Sequence, residues 1–264
     1  MFPYIGGKHY LHKFLLNILP DDYEKKTYVE VFGGSAKFLF YKKPSKIEVL
    51  NDKDDYIVNL YRVLFYNYKE FKNYFLHLSL CSRTEFDRIK EKLRNNDFND
   101  AIEKAYCYLY YLSYSFSTSL KNFDSSFEAL KKKKILSILK IIYKAKKRLN
   151  NVIIENLDFR ELIDKYDSKD TIFYCDPPYY GLNLYRLSFS EKDHLDLYTK
   201  LKNIKGKFIL SYNEADEILN LYKDFNIEKI AYESKSLRKG TQYNELIIYN
   251  YKKHKSNLEL FDIC

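Results

Sequence analysis

Strand-like segments stand in both halves of the chain, and between them lies a long block with helical patterns. The segments before the block end at residue 52, and those after it begin at residue 151. Strands that alternate with helices predict an α/β fold with a mostly parallel sheet, and the block predicts a helical insert between the second and third strands. The strand candidates are 27–32 (TYVEVF), 46–52 (KIEVLND), 151–159 (NVIIENLDF), 171–176 (TIFYCD), 207–212 (KFILSY) and 245–251 (ELIIYNY).

The insert, residues 57–149, combines amphipathic helices with a polar segment. Apolar residues recur three and four positions apart in RTEFDRIKEKL and AIEKAYCYLYYL, as in packed helices. Residues 113–127 (SYSFSTSLKNFDSSF) are rich in serine and are interpreted as a loop, and the lysine-rich residues 131–149 predict a basic amphipathic helix. We therefore expect two units, a catalytic domain formed by residues 1–56 and 150–264 and the helical insert.

The composition disfavours several classes of protein. The 264 residues are 46% hydrophobic, enough for a sizeable core, and they contain no run of about 18 apolar residues that would predict a membrane span. The N-terminus lacks the pattern of a secretion signal and the four cysteines lack metal-ligand spacing, so we expect a cytoplasmic protein with reduced thiols. The net charge of +9 suits a polyanionic partner without identifying it.

The first strand candidate ends in a pair of glycines, in the sequence EVFGGSAKF. Glycines between a strand and a helix let backbone N–H groups approach a ligand, although a plain tight turn has the same appearance. Asp52 lies nineteen positions beyond Gly33 and ends the second strand, a position from which a carboxylate holds ribose hydroxyls. Together these features favour a nucleoside-containing cofactor. The glycine patterns of dinucleotide-binding folds and of P-loops are absent from the sequence, which disfavours NAD and ATP.

A second glycine pair, in PYIGGKHYL, stands near the N-terminus between Tyr4 and Lys8. A flexible end with a turn is one explanation of this pair. A binding site is the other, and in that case Lys8 supplies a point charge for a carboxylate.

The segment IFYCDPPYYG places an acid, two prolines and a tyrosine directly after an apolar strand. Proline stops a strand and restricts the residue before it, so Asp176 and the carbonyl of Pro177 become two fixed hydrogen-bond acceptors. Enzymes that modify a flipped base need acceptors for its exocyclic amine and a ring to stack on it, and Tyr179 is such a ring. A purely structural turn is the other interpretation of this stretch.

These motifs resemble, in order and spacing, those of the alpha-class, Dam-like family of S-adenosylmethionine-dependent DNA adenine methyltransferases. The resemblance runs nearly end to end, through PYIGGK, YVEVFGGSA, EVLND, ENLDF, DPPY, ILSYN and RKGTQYNELIIYNY. It implies a Rossmann-like methyltransferase sheet, mostly parallel with an antiparallel C-terminal strand, and a helical target-recognition insert. It also implies S-adenosyl-L-methionine as cofactor and methyl transfer to the exocyclic N6 of a flipped adenine in double-stranded DNA.

The resemblance assigns roles to individual residues. In the implied site, Asp52 accepts from the ribose hydroxyls, and Asp158 with Phe159 frames the adenine of the cofactor. The implied catalytic residues are Asp176, which links cofactor and target base, Pro177 and Pro178, which orient the amine, and Tyr179, which stacks on the flipped ring. The implied cofactor-binding residues are Tyr4, Gly7, Lys8, Glu30, Phe32, Gly33, Gly34, Ser35, Asp52, Asp158, Phe159 and Asp176.

Two departures from the family pattern matter. Many members carry a third glycine in the motif that here reads FGGSA, and we expect Ser35 to take that backbone position or to donate a hydrogen bond. Members that methylate GATC read bases with a hairpin rich in Asn, Gly and Arg, whereas SYSFSTSLKNF stands in that place here. GATC specificity is therefore not carried over.

DNA contacts are predicted in the insert and before the last strand. A solvated helix face explains the lysine run as well as a phosphate-binding surface does. The polar residues of the serine-rich segment are candidates for reaching base edges. The predicted DNA-binding residues are Ser117, Ser119, Lys121, Asn122, Lys131, Lys132, Arg238 and Lys239.

Two other functions are compatible with parts of this pattern. The same chemistry acts elsewhere on the cytosine amine, on RNA or on a side-chain amide, although those sites more often have Ser or Asn before the prolines. The other is a DNA- or RNA-binding module without catalysis, which the intact acids disfavour. We expect a monomer or weak dimer without membrane contact, and the sequence leaves open whether a restriction endonuclease is a partner.

Overall fold

The computed structural model describes most of the chain. The described residues are 11–78, 81–116, 122–123, 140, 143–182, 186–233 and 242–253. The predicted strands fall within them, whereas the N-terminal glycine pair and most of the serine-rich segment lie outside.

A seven-stranded mixed sheet forms the centre of the described part. Its strands are β1 Thr27–Glu30, β2 Ile47–Asn51, β5 Val152–Glu155, β6 Thr171–Cys175, β7 Lys207–Asn213, β8 Asn226–Glu233 and β9 Gln242–Tyr249. The strands β3 Ser115–Phe116 and β4 Asn122–Phe123 form a separate pair. The order in the large sheet is β5-β2-β1-β6-β7-β9-β8, in which β9 runs antiparallel to both its neighbours and the other pairs are parallel. The predicted fold, mostly parallel with an antiparallel C-terminal strand, is confirmed.

The edge strand β8 has no strand signal in the sequence. Charged residues interrupt its apolar ones in NIEKIAYE, so it lacks the buried run that marks β6. Its backbone pairs with β9 from Asn226, opposite Tyr249, to Glu233, opposite Gln242. Pairing with β9 rather than a local apolar pattern therefore forms this strand, and charged side chains are usual at a sheet edge.

Helices cover both faces of the sheet. They are α1 His12–Ile18, α2 Lys37–Tyr41, α3 Asp55–Tyr66, α4 Tyr68–Leu78, α5 Arg83–Asn95, α6 Ala101–Tyr114, α7 Phe159–Tyr166, α8 Glu191–Asn203 and α9 Asp216–Leu221. Buried side chains of α1–α6 and one sheet face form the first core cluster, and those of α7–α9 and the opposite face form the second. None of these helices is long and apolar enough to cross a membrane.

The described part of the insert is mainly helical. Three of its helices start at a side chain that accepts a backbone N–H, Asp54 before α3, Ser82 before α5 and Asp100 before α6, as helix N-caps do. Helix α3 spans the boundary predicted between residues 56 and 57 and packs in the first core cluster. The division into two units stays a prediction.

The serine-rich segment 113–127 is not wholly a loop as predicted. Helix α6 continues to Tyr114, and β3 then pairs antiparallel with β4, with Ser115 opposite Phe123. The ring of Phe123 lies 5.5 Å from that of Phe86 on α5. An aromatic contact with the helical insert thus fixes a short strand pair in a stretch whose serines suggest a loop.

Candidate active site

The backbone bends sharply between β1 and α2, where the sequence reads FGGSA. The N–H of Gly33 donates to the carbonyl oxygen of Asn51 at 2.7 Å, so the bend lies against the end of β2. A Cβ atom on Gly33 would lie 2.7 Å from that oxygen and 2.7 Å from Cδ1 of Leu50. Only glycine allows the two strand ends to approach this closely.

The left-handed backbone of this bend occurs at Gly34 and Ala36, whose φ angles are +47° and +49°. Ser35, between them, has no positive φ, so the bend requires glycine-like freedom on either side of Ser35 rather than at it. The expectation that Ser35 takes the place of a third glycine or donates a hydrogen bond stays a prediction. The Cβ of an alanine disfavours the left-handed conformation, so packing around the bend must impose it.

Asp52 follows β2 directly and binds the bend. Its Oδ2 accepts from the N–H of Gly34 at 2.7 Å, and its Oδ1 accepts from the N–H of Asp54 at 2.8 Å. Burial raises the pKa of Asp52 to about 6, although these two hydrogen bonds act in the opposite direction. Each oxygen keeps a second lone pair, so the carboxylate can still accept from hydroxyl groups of a ligand.

Glu30 ends β1, and its side chain is buried beside the bend. Its Oε2 accepts from the hydroxyl of Tyr28 at 2.9 Å and from the N–H of Leu39 at 3.0 Å. Burial raises the pKa of Glu30 to about 8, and the nearby Asp176 also raises it. The carboxyl group is therefore largely protonated at neutral pH, unless a cation binds close to it.

Three aromatic rings form a cluster beside the bend. The rings of Phe32, Phe159 and Phe189 lie 5.7 Å apart, centroid to centroid, in each of the three pairs. The rings are tilted or edge-on to one another, at 38°, 81° and 44°, so it is a single ring face, not the whole cluster, that can stack on a planar ligand.

Asp158 adds a carboxylate next to this aromatic cluster. It caps α7 by accepting from the N–H of Arg160 at 3.0 Å, and it accepts from Nζ of Lys53 at 2.8 Å. Burial raises the pKa of Asp158, but the hydrogen bonds from Lys53 and Arg160 outweigh it and hold the pKa below its usual value. An ionised acceptor beside flat rings suits a purine with an exocyclic amine.

The turn after β6 carries the sequence DPPY. Asp176 and Pro178 face the same space as the bend, while Pro177 is buried. The hydroxyl of Tyr179 donates to Glu245, a buried residue of β9. The turn is thus fixed to a strand two places along the sheet.

These parts surround one cavity of about 1100 Å³, including space open to solvent, at the carboxyl ends of β1, β2 and β6. This edge is where ligands bind in open α/β sheets. The predicted site residues that line it are Glu30, Phe32, Gly33, Gly34, Ser35, Asp52, Asp158, Phe159, Asp176 and Pro178. Pro177 and Tyr179, also described, are not among the lining residues.

The sequence matches the D12 class of N6 adenine-specific DNA methyltransferases over residues 4–235. This chain belongs to that family. The protein is thus an adenine-specific DNA methyltransferase, as the motifs predict. A relative, the type II methyltransferase M.MjaIII of Methanocaldococcus jannaschii, is 28% identical to it, and the alignment covers 93% of this chain and 96% of the relative.

Solved structures similar to this methyltransferase are more distant. A precorrin 8w decarboxylase of Methanobacterium thermoautotrophicum is 11% identical, with a TM-score of 0.41 and coverage of 92% of this chain and 90% of its own. A conserved hypothetical protein of Streptococcus pyogenes is also 11% identical, with a TM-score of 0.39 and coverage of 92% and 97%. These TM-scores are too low to support an argument about the methyltransferase.

The cavity of the methyltransferase also contains charged residues that no motif indicates. Arg186 donates through Nη2 to Asp54 at 2.6 Å and to Asp55 at 2.8 Å, and it joins the segment after DPPY to the start of α3. Lys37, the first residue of α2, lines the cavity as well. The pairs of Arg186 join residues far apart in sequence and leave no local pattern, whereas Lys37 stands directly after the glycine motif with no feature that marks it as a ligand residue.

His194 on α8 is another residue of the methyltransferase that no motif indicates. It is buried, and its Nδ1 lies 2.5 Å from the hydroxyl oxygen of Tyr212 on β7. Its ring centroid lies 4.7 Å from that of Phe189 and 5.2 Å from that of Tyr180. The imidazole therefore joins the aromatic cluster to the residue that follows DPPY.

Several predicted site residues of the methyltransferase lie outside the described part. They are Tyr4, Gly7, Lys8, Ser117, Ser119, Lys121, Lys131, Lys132, Arg238 and Lys239. Asn122 is described by its backbone, as the first residue of β4. The roles of these residues stay predictions.

Proposed function

We propose that S-adenosyl-L-methionine is the methyl donor and that it binds in the cavity at the ends of β1, β2 and β6. The observation that carries this proposal is that the glycine bend and the Asp52 carboxylate, joined by the hydrogen bond from the Gly34 N–H, line one cavity. Bare backbone and a carboxylate at neighbouring strand ends suit a nucleoside cofactor, and the family supports the same donor. When bound, the donor supplies an electrophilic methyl group.

The residues of the cavity hold different parts of the donor. Asp52 accepts hydrogen bonds from the ribose hydroxyls, and Asp158 with Phe159 frames the adenine. The bend from Gly33 to Ser35 follows the chain between ribose and methyl group, with Glu30 beside it. The family resemblance adds Tyr4 and Lys8 at the methionine part, and Gly7 as a further cofactor-binding residue.

The DPPY turn holds the flipped adenine of the substrate. Asp176 and the carbonyl oxygen of Pro177 accept the two hydrogens of the N6 amine, so that its lone pair is directed away from both acceptors. Pro178 restricts the residue before it and so fixes that carbonyl. Tyr179 stacks on the flipped ring, and its hydrogen bond to Glu245 keeps the platform in place.

The substrate is double-stranded DNA with a specific recognition sequence. The insert, residues 57–149, recognises that sequence, and residues 1–56 and 150–264 form the catalytic unit. The name of M.MjaIII as a type II methyltransferase supports a restriction endonuclease as a partner. We infer a cytoplasmic protein that acts as a monomer or weak dimer.

Transfer of labelled methyl groups from S-adenosylmethionine into DNA of random sequence tests this proposal, with modified positions mapped by single-molecule sequencing. We expect N6-methyladenine within one short motif. Asp176→Asn should abolish incorporation, because it removes a charged acceptor from the amine. Asp224→Asn, at an exposed residue beyond α9, should leave it unchanged.

Binding of S-adenosylhomocysteine by Asp176→Asn shows that the variant is folded and that its loss concerns the target base. Incorporation by this variant at the normal rate would contradict the role of the turn. Failure of the unaltered protein to bind either S-adenosylmethionine or S-adenosylhomocysteine would overturn the choice of donor.

A further inference from the structure

The lysine and arginine side chains that line the cavity differ in whether they are neutralised. Lys53 pairs with Asp158 at 2.8 Å, and Arg186 pairs with Asp54 at 2.6 Å. Lys37 lines the same cavity but forms no ion pair or hydrogen bond with any other described residue. Within the described part, it is the uncompensated cation of the site.

Lys37 is also half-buried, which makes this isolation costly. Burial lowers the pKa of Lys37, and no described carboxylate offsets that effect. A partly desolvated ammonium group without a counter-charge is stabilised when a ligand supplies an anion. The position of Lys37 therefore indicates an anionic group in the bound ligand.

The two walls of the cavity indicate which part of the ligand reaches Lys37. Ala36 and Phe38, its neighbours in the chain, belong to the first core cluster, whereas Phe159 belongs to the second. Lys37 begins α2 directly after the bend, and Phe159 begins α7, so the two residues line the cavity from different elements. An elongated ligand whose adenine packs on Phe159 and whose next part follows the bend therefore reaches Lys37.

We propose that the Lys37 ammonium binds the carboxylate of the methionine part of the donor. This inference rests on the proposed function, in which S-adenosylmethionine occupies the cavity. The carboxylate is the anionic group of that molecule, and an ammonium point charge suits it. Lys37 then acts together with Lys8, which the family resemblance assigns to the same end of the donor.

Calorimetric titration with two ligands tests this assignment. S-adenosylhomocysteine carries the carboxylate, whereas 5′-methylthioadenosine has the same nucleoside without the amino-acid part. Lys37→Met should weaken binding of S-adenosylhomocysteine by about tenfold to a hundredfold, the usual effect of losing a hydrogen bond to a charged group, and leave 5′-methylthioadenosine unaffected. Lys37→Arg should retain most of the affinity, and Lys13→Met, at an exposed lysine on α1, should change neither titration.

The alternative occupant of Lys37 is a phosphate of the DNA. In that case Lys37→Met would bind S-adenosylhomocysteine normally and would bind duplex DNA more weakly, which would overturn the inference. Equal losses of affinity for S-adenosylhomocysteine and 5′-methylthioadenosine would overturn it too, because they would indicate a general disturbance of the cavity. If the unaltered protein binds neither nucleoside, the proposed donor fails rather than the role of Lys37.

Discussion

At the scale of single residues, the cavity concentrates acids whose surroundings oppose their ionisation. Burial raises the pKa of Glu30 to about 8 and that of Asp52 to about 6. Acids in this state favour a positively charged ligand, because its charge replaces the water that burial removes. The sulfonium and ammonium groups of the proposed donor have the required sign.

The raised pKa of Glu30 predicts how stability changes with pH. Between its ordinary pKa and about 8, the folded protein holds a proton on Glu30 that the unfolded chain has released. The free energy of unfolding therefore falls as the pH rises through this window, by up to about 1.4 kcal/mol for each pH unit. Glu30→Gln has no such proton, so its free energy of unfolding should fall less steeply above the pKa of Asp52.

Guanidinium unfolding at a series of pH values between about 6 and about 8 measures the two slopes, and the contribution of Asp52, whose pKa is about 6, is common to both proteins. Glu217→Gln, at an exposed residue of α9, serves as the control and should keep the slope of the unaltered protein. A Glu30→Gln slope equal to that of the control would show that Glu30 is ionised in the free protein.

Ala36 allows a second prediction, because its backbone is left-handed and its side chain is buried. Ala36→Gly relieves a steric cost of about 1 kcal/mol, which offsets most of what the lost methyl group contributed. Ala105→Gly, at a buried alanine inside α6, has no such relief and also loses about 1 kcal/mol of helix propensity. The free energy of unfolding should therefore change by under about 0.5 kcal/mol at position 36 and fall by roughly 2 kcal/mol at position 105.

Chemical denaturation of the two variants side by side measures this difference. Both substitutions replace alanine by glycine, so the difference between their losses of stability reflects the backbone conformation at the two positions. Equal losses of stability would mean that the left-handed backbone at Ala36 costs nothing.

At the scale of elements, the sequence predicts those parts whose signal is local. All five residues of β6 are buried, and its apolar run shows this directly. Strand β8 and the pair of β3 and β4 have no such signal, because their partners in the sheets decide their conformation. Glu30, Asp52 and Asp176 were predictable because each stands at the end of a strand, whereas the place of Arg186 in the cavity depends on a contact between distant segments.

The end of the insert is fixed to the sheet by a buried group of charges. Residue 148 belongs to the lysine-rich segment for which a solvated or DNA-binding face is expected, yet Arg148 instead pairs with Glu48 on β2. It also donates to the carbonyl oxygen of Leu39 at 3.0 Å, and Lys42 pairs with Glu48 at 2.6 Å. Arg148 therefore joins the end of the insert to β2 and α2.

Removal of Arg148 should destabilise the protein much more than removal of its neighbour. Arg148→Met leaves the buried Glu48 carboxylate with one counter-charge in place of two, a change that costs about 3 kcal/mol in comparable buried pairs. Lys147→Met, at an exposed position, should cost less than about 0.5 kcal/mol. Urea unfolding measures both, and similar small losses would show that the Arg148 pair does not hold the insert in place.

At the scale of the whole molecule, the basic residues behind the net charge of +9 do not all attract DNA equally. Many basic residues on the described surface are paired with acids, as Lys200 is with Asp164 and Lys165 with Glu155. The run of lysines from 131 to 134 has no acid within it. We therefore expect the attraction for DNA phosphates to come largely from this part of the insert.

The salt dependence of DNA binding tests that distribution. Each phosphate contact contributes about 0.9 to the slope of log K against log salt concentration, so Lys131→Met with Lys132→Met should reduce the slope by about 1.8. The control removes the same charge elsewhere, by Lys200→Met with Lys202→Met on α8, and should leave the slope nearly unchanged. Fluorescence anisotropy with one duplex at several salt concentrations gives all three slopes. If both double variants lose the same amount, the net charge of the molecule rather than local contact by the lysine run governs its attraction for DNA.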